Sequence, residues 1–249
     1  MADLTDKFKP NAAKGPFNQK ELDEMVLEAA AVQDTRTLGL ALMAGGNPNA
    51  RNKANGEPAV VYSASNGNVQ HLKLLLEAGA DINATDNFGQ TAAMEALHGR
   101  HEKALAYILA SDYEVDHRDT TNNTLLMHAV RCMELKPVRL VLDADPDPFV
   151  KDAKGRTARA ILEGLRETAS PEVLPVVDKI LTMLVRHEER YFGFMLNDTV
   201  DRKEYDKMKD IAHAGLDMGR NSYAIGQALI IAVKATDEKA VEILLGAGA

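Results

Sequence analysis

Gly56, Gly89, Asn122 and Gly155 stand at equal steps of 33 residues, and Gly79, Asp112 and Asp145 keep the same step. A fixed period of that size means one supersecondary unit copied along the chain, each copy too small to bury its own apolar side and dependent on its neighbours for a core. Gly enters the left-handed backbone region at little cost and Asn is the next best residue there, so Asn122 keeps the turn. Inside each step the order recurs: a hairpin-like turn, a short Ala-rich helix, a break, a helix with two or three aliphatics, and a second turn. The stretch LLLEAGADINATDNFGQT at 74–91 is one junction. Gly79 stops a helix, Asn87, Phe88 and Gly89 supply tight-turn chemistry, and Thr91 caps the next helix.

Composition agrees with packed helix pairs. Hydrophobic residues make up 45% of the 249, while aromatics are 5% and Trp is absent, so the core comes from Ala, Leu, Val, Ile and Met. That favours an all-α fold. The net charge of −8 and the lack of a dense Lys/Arg run argue against nucleic acid as a partner. No segment has the length and apolarity of a membrane span, and MADLTDKFKPNAAKGPFNQK lacks the apolar region of a signal peptide. Residues 1–17 read as a flexible tail, with a docked strap as the alternative. A single Cys, Cys132, beside ten Met suits a reducing compartment, and so a cytoplasmic setting.

Residues 52–84 contain Gly56, Ser63, Ala64, Gly67, Leu72, Leu75, Leu76 and the run GADINA. Residues 85–117 keep Asp86, Gly89, Thr91, Ala96, Ile108 and Leu109, with Asp112 for the terminal Gly and Ala92 for the Pro at the helix start. Residues 118–150 keep Asp119, Thr124, Leu126, Ala129, Val138 and Val141. These residues resemble the ankyrin repeat, whose pattern is an Asp/Gly turn, T-P-L-H-x-A-A, a Gly, V-x-L-L-L and G-A-D-x-N-A. The resemblance implies an ankyrin-type α-solenoid of about seven helix-turn-helix units with β-hairpin-like fingers. The units fall at about 18–51, 52–84, 85–117, 118–150, 151–187, 188–220 and 221–249, forming one domain over 18–249.

The later units depart from the pattern. GLRETASPEVLP separates the helices of the fifth unit by about ten residues more than the period needs. RHEERYFGF then leaves no room for a hairpin before the helix at Leu196–Val200, so one finger is missing, and Tyr191, Phe192 and Phe194 either plug that gap or form an exposed patch. YDKMKDIAHAGLDM puts Tyr205, Met208, Ile211 and Ala212 on its buried side, with Gly215 as its stop. At the C-terminal end Leu229, Ala232, Val233, Val241, Leu244 and Leu245 form an apolar set that either closes as a tolerably polar helix pair or stacks on a partner or another copy.

Chemistry-bearing patterns are weak. His98, His101, His117 and His128 lack Cys or carboxylate at zinc-ligand spacing, and His98 and His101 read as structural, bonding backbone within the repeat. Cys132 has His128 four residues back but no orienting third group. The pairs Glu188/Glu189 and Asp145/Asp147 read as solvated turn charges. The glycine-rich runs follow helices instead of opening them, unlike phosphate loops. No cofactor, metal site or catalytic role is expected.

A protein-binding role follows from the resemblance, as an adaptor or inhibitor using the concave face and hairpin tips. The alternatives are the substrate-docking region of a larger enzyme or effector delivered into a host cytoplasm, and a self-stacking structural element. The contacting positions carried over from the family are Asn55, Glu57, Ser65 and Asn66; Asn87, Phe88, Gln90 and His98; Arg118, Thr120, Thr121, Asn123 and Arg131; and Lys154 and Arg156. Phe88, an aromatic at a tip, is either a partner anchor or packed on the next hairpin. Arg118, Arg131, Lys151, Lys154 and Arg156 form a basic zone that is either solvated or suited to an acidic partner surface.

Overall fold

The computed structural model describes residues 17–217, 222–235 and 237–247, so the tail expected at 1–17 lies, but for its last residue, outside the described residues. By contact the chain divides into two compact units, Met1–Pro146 with Val150–Arg156, and Asp147–Phe149 with Thr157–Ala249.

The first unit contains α1 (Gln19–Val32), α2 (Thr35–Met43), α3 (Ala59–Ser65), α4 (Val69–Glu77), α5 (Ala92–His98), α6 (Glu102–Leu109), α7 (Leu125–Arg131) and α8 (Leu135–Asp143). They form a two-layer stack in which α1, α3, α5 and α7 pack in series, α2, α4, α6 and α8 pack in a second series, and each pair closes across the layers. Leu72, Leu75, Met94, Leu97, Leu105, Ile108 and Leu126 are buried between the layers, and Ala64, Ala96 and Ala129 let the first helices approach closely. Each fully buried aliphatic of this kind contributes about 1.5–3 kcal/mol.

Local chemistry sets the helix limits. The hydroxyls of Thr91 and Thr124 accept the N–H groups of Met94 and Met127 at 3.3 and 3.4 Å, capping α5 and α7 from buried positions. Asp34 and Asn68 cap α2 and α4 in the same way. Between the helices of each pair, Gln33, Gly67, Arg100 and Met133 all take φ between 52° and 68°. Gly67 has a second constraint, because a Cβ there would lie 2.5 Å from the His101 ring.

The sequence period reappears as a backbone period. Gly56, Gly89, Asn122 and Gly155 have φ of 67°, 74°, 59° and 76°, so Asn122 does hold the left-handed turn. In the second series Gly79 and Asp145 are left-handed, at 90° and 56°, but Asp112 is not. There the Ser111 hydroxyl donates to the Tyr107 carbonyl at 3.0 Å and ends α6 without a left-handed residue. Two asparagines bind successive units together. Asn49 donates to the Gly79 carbonyl (3.2 Å) and accepts from the Asp81 N–H (2.8 Å), and Asn83 does the same with Asp112 (3.0 Å) and Glu114 (2.8 Å).

The second unit contains α9 (Ala158–Thr168), α10 (Leu174–Asp201), α11 (Tyr205–Asp217), α12 (Ser222–Lys234) and α13 (Glu238–Gly246). GLRETASPEVLP is not an extended connection: α9 runs on to Thr168, and only a short turn precedes α10, whose first turn holds Pro175. Helix α10 is continuous for 28 residues and runs straight through RHEERYFGF, the stretch read as a shortened connection. Phe192 is 2% exposed and joins a core with Leu196, Met208, Ile225 and Ala232, while Phe194 is 68% exposed. The three aromatics therefore divide between the two roles, with Tyr191 packed edge-on against Phe149. Gly215 does not stop α11, which continues to Asp217. At the C-terminal end Ala232 and Leu244 are buried, whereas Ile230, Val233 and Leu245 stay exposed. Among the described residues no helix is long and apolar enough to cross a membrane.

Candidate functional site

The fingers of the first unit are built on three aspartates spaced by the repeat. One oxygen each of Asp86, Asp119 and Asp152 accepts the N–H groups two and four residues further on: Phe88 and Gln90, Thr121 and Asn123, Lys154 and Arg156, all at 2.8–2.9 Å. Such Asx turns replace the backbone bonds that a sheet would supply. Single antiparallel bridges close the finger bases at Arg51–Pro58, Thr85–Thr91 and Arg118–Thr124. Tips are then joined one to the next. The N–H of Asn87 donates to the Asn55 carbonyl (3.1 Å), Thr120 to Phe88 (3.1 Å) and Ala153 to Thr121 (3.4 Å).

This row brings the expected contact residues together but divides them into two groups. Asn87, Phe88, His98, Arg118, Thr120, Thr121 and Lys154 are exposed. Phe88 is 63% exposed at its tip, so its side chain is wet instead of packed on the next hairpin. Asn55, Glu57, Ser65, Asn66, Gln90, Asn123, Arg131 and Arg156 are half-buried and committed to internal bonds. Asn55 donates to Glu57 (2.8 Å), Ser65 to the Tyr62 carbonyl (3.0 Å), and Asn66 to the Ala30 and Ala31 carbonyls (3.4 and 3.3 Å).

Beneath the tips lies a polar network. The second oxygen of Asp119 meets His128 Nε2 at 2.9 Å and accepts from Gln90 at 3.3 Å. Burial alone raises the Asp119 pKa, but the N–H of Asn123, the Thr121 hydroxyl and His128 outweigh it and hold the carboxyl far below its usual range. Burial pushes His128 below its ordinary value despite Asp119, favouring the neutral ring. Arg131 donates to Asn123 at 2.8 Å and lies 4.0 Å from Asp152. Arg156 grips Asp152 through Nε and Nη2, at 3.0 and 2.7 Å, and those bonds bring its carboxyl down to about 2. Arg131 and Arg156 thus stiffen the fingers, leaving Arg118, Lys151 and Lys154 as the exposed cations of the basic zone.

Other candidates fall out differently. His101 bonds backbone, but that of the preceding unit, the Ser65 carbonyl at 2.9 Å. His71, absent from the sequence candidates, is buried in α4 against the Thr35 hydroxyl at 2.9 Å, and burial lowers its pKa. Cys132 donates to the His128 carbonyl at 3.5 Å, and burial pushes its thiol up, away from the reactive thiolate. Glu188 and Glu189 are not in a turn. They sit inside α10, where Glu188 is buried against Arg159 (3.3 Å) and its carboxyl is pushed up to about 7 by burial. Among the described residues no group of three or more His, Cys, Asp or Glu converges as a metal site. The structural weight of Asp119 and Asp152 was signalled by their 33-residue step, whereas nothing in the sequence pattern marked Glu188 as buried.

Residues 27–119 match the family described as Ankyrin repeats (3 copies). A stretch of 138 residues, 54% of this chain and 20% of the relative, is 27% identical to the mitochondrial disaggregase of Bos taurus. Another of 70 residues, 28% of this chain and 12% of the relative, is 34% identical to an L-asparaginase of Dirofilaria immitis. The chain therefore spans a fifth or less of the length of these curated relatives.

Proposed function

Residues 27–119 are ankyrin repeats, generally modules of protein–protein interaction, and from that premise we propose that this chain is a non-catalytic adaptor or inhibitor that holds a protein partner along its finger row. The observation that carries this reading is the row itself. Backbone bonds between neighbouring tips fix Asn87, Phe88, Thr120, Thr121 and Ala153 in register, and Phe88 stands exposed among them. A rigid row loses little entropy on binding, and an exposed aromatic on a row that also carries the exposed cations Arg118 and Lys154 suits a partner segment that offers both apolar and acidic residues. The setting we assign is the cytoplasm, consistent with the single thiol, with no nucleic acid or membrane as ligand.

Capture of partners on the immobilised chain, followed by affinity measurement with the purified partner, tests the proposal. Phe88→Ala should weaken binding by roughly 30-fold, the scale of an interfacial aromatic anchor. Lys154→Glu should add a salt-dependent loss. Arg131 is a poor choice for such a test because its substitution would also loosen Asn123 and Asp152. Binding unchanged in the Phe88→Ala, Lys154→Glu double variant would rule out the finger row.

A second reading is favoured by the lengths of the two relatives, both much longer proteins with enzyme names. In it these repeats dock substrate for an enzyme to which they are joined, and the captured partner would be a turned-over substrate instead of an inhibited or recruited protein. Self-stacking through exposed Ile230, Val233 and Leu245 is a third arrangement, which sedimentation velocity would reveal as a concentration-dependent dimer.

A further inference from the structure

His98 closes α5 and His128 lies in α7, and the two rings meet between successive units. His98 Nε2 and His128 Nδ1 are 3.2 Å apart, with ring centroids 5.0 Å apart and planes inclined by 75°. The remaining nitrogen of each ring has a carboxylate beside it. His128 Nε2 lies 2.9 Å from Asp119, and His98 Nδ1 lies 4.0 Å from Glu95.

This arrangement fixes where lone pairs point. An ionised carboxylate only accepts hydrogen bonds, so His128 carries its proton on Nε2 and presents the Nδ1 lone pair to His98. Two imidazole nitrogens sharing one tetrahedral ion at about 2.0–2.1 Å lie roughly 3.3 Å apart, with ring centres about 5 Å apart. The observed separations agree with both. Metal-binding histidines commonly have a carboxylate on the nitrogen that does not touch the ion, which orients the ring and raises its basicity. Here the His128 ring has one, Asp119 at 2.9 Å, while Glu95 stands 4.0 Å from His98 Nδ1, beyond direct hydrogen-bond reach.

We propose that His98 Nε2 and His128 Nδ1 together bind one borderline transition dication, Zn²⁺ or Cu²⁺ in type, bridging the units that carry α5 and α7. Imidazole nitrogen suits such ions, and the half-exposed His98 gives them access. On binding, His98 turns its Nε2 lone pair to the ion and carries its proton on Nδ1, the nitrogen that faces Glu95. Among the described residues no third ligand converges there, and water fills the remaining positions. The Arg131 guanidinium is held by Asn123 at 2.8 Å. The site does not depend on which protein the finger row holds.

Calorimetric titration of the untagged full chain with zinc chloride, in excess magnesium, tests this. The expected result is saturable uptake of one ion per chain, weakened at least tenfold in His98→Ala, whose metal-free unfolding midpoint should match the parent. Zinc should also shift the ring ¹⁵N signals of His98 and His128. Absence of saturable uptake, uptake unchanged in His98→Ala, or shifts confined to other histidines would each overturn the proposal.

Discussion

The two units solve the same packing problem differently. In the first, every helix pair is followed by a finger with a left-handed residue, Gly56, Gly89, Asn122 or Gly155, and at Asn49 and Asn83 by a side chain that spans two units. In the second, α10 runs unbroken where a turn and finger would otherwise stand, and cohesion passes to one long helix with Phe192 in its core. Regular repetition therefore relies on polar turn chemistry renewed at each step. Where that chemistry is missing, an apolar helix–helix contact takes over, and Glu188 on the same long helix is buried against Arg159 of α9.

The largest test of this contrast is Phe192→Ala, which should cost about 3–5 kcal/mol by emptying a packed aromatic site. Hydrogen exchange should show the loss concentrated in α10–α13, with α1–α8 little changed. Uniform loss over both units would erase the distinction drawn between them. Next is Asn83→Ala, which hands the Asp112 carbonyl and the Glu114 N–H over to water and should cost about 0.5–1.5 kcal/mol. Chemical denaturation should register that loss, and a neutral result would mean the bridging asparagines are dispensable.

The smallest effect is one of pH. The Glu188 carboxyl is raised to about 7 by burial, with Arg159 opposing and Glu163 and Glu189 reinforcing the rise. Between its ordinary value and 7 the folded chain holds more protons than the unfolded chain, so stability is greatest at the acidic end and falls as pH rises through neutrality. The slope from one proton stays below about 1.4 kcal/mol per pH unit. Glu188→Gln should flatten that segment of the stability curve, and an unaltered slope would assign the titration elsewhere.

Much of the first unit was legible because a 33-residue step converts directly into backbone geometry. Gly56, Gly89, Asn122 and Gly155 each supply the left-handed turn their spacing predicts. Asp112 broke its series because Ser111 ended α6 by another bond, a local substitution that spacing alone does not reveal. The division of the contact residues was also hidden. Position in a repeat predicts that Arg131 and Arg156 lie near the fingers, but not that Asn123 and Asp152 hold them there. In the second unit the misreadings share one cause. Ser, Pro and charged residues around GLRETASPEVLP and RHEERYFGF resemble loop composition, yet tertiary contact kept both largely helical, and Glu188 went inside with its helix.

The backbone bonds that join neighbouring tips run between main-chain atoms of Asn55 and Asn87, Phe88 and Thr120, and Thr121 and Ala153. The scaffold's grammar is thus separate from its vocabulary: an exposed side chain at a tip can be exchanged without rewriting the frame that presents it. A lineage bearing this comb could drift from one client to another by altering single letters, while the teeth keep their pitch.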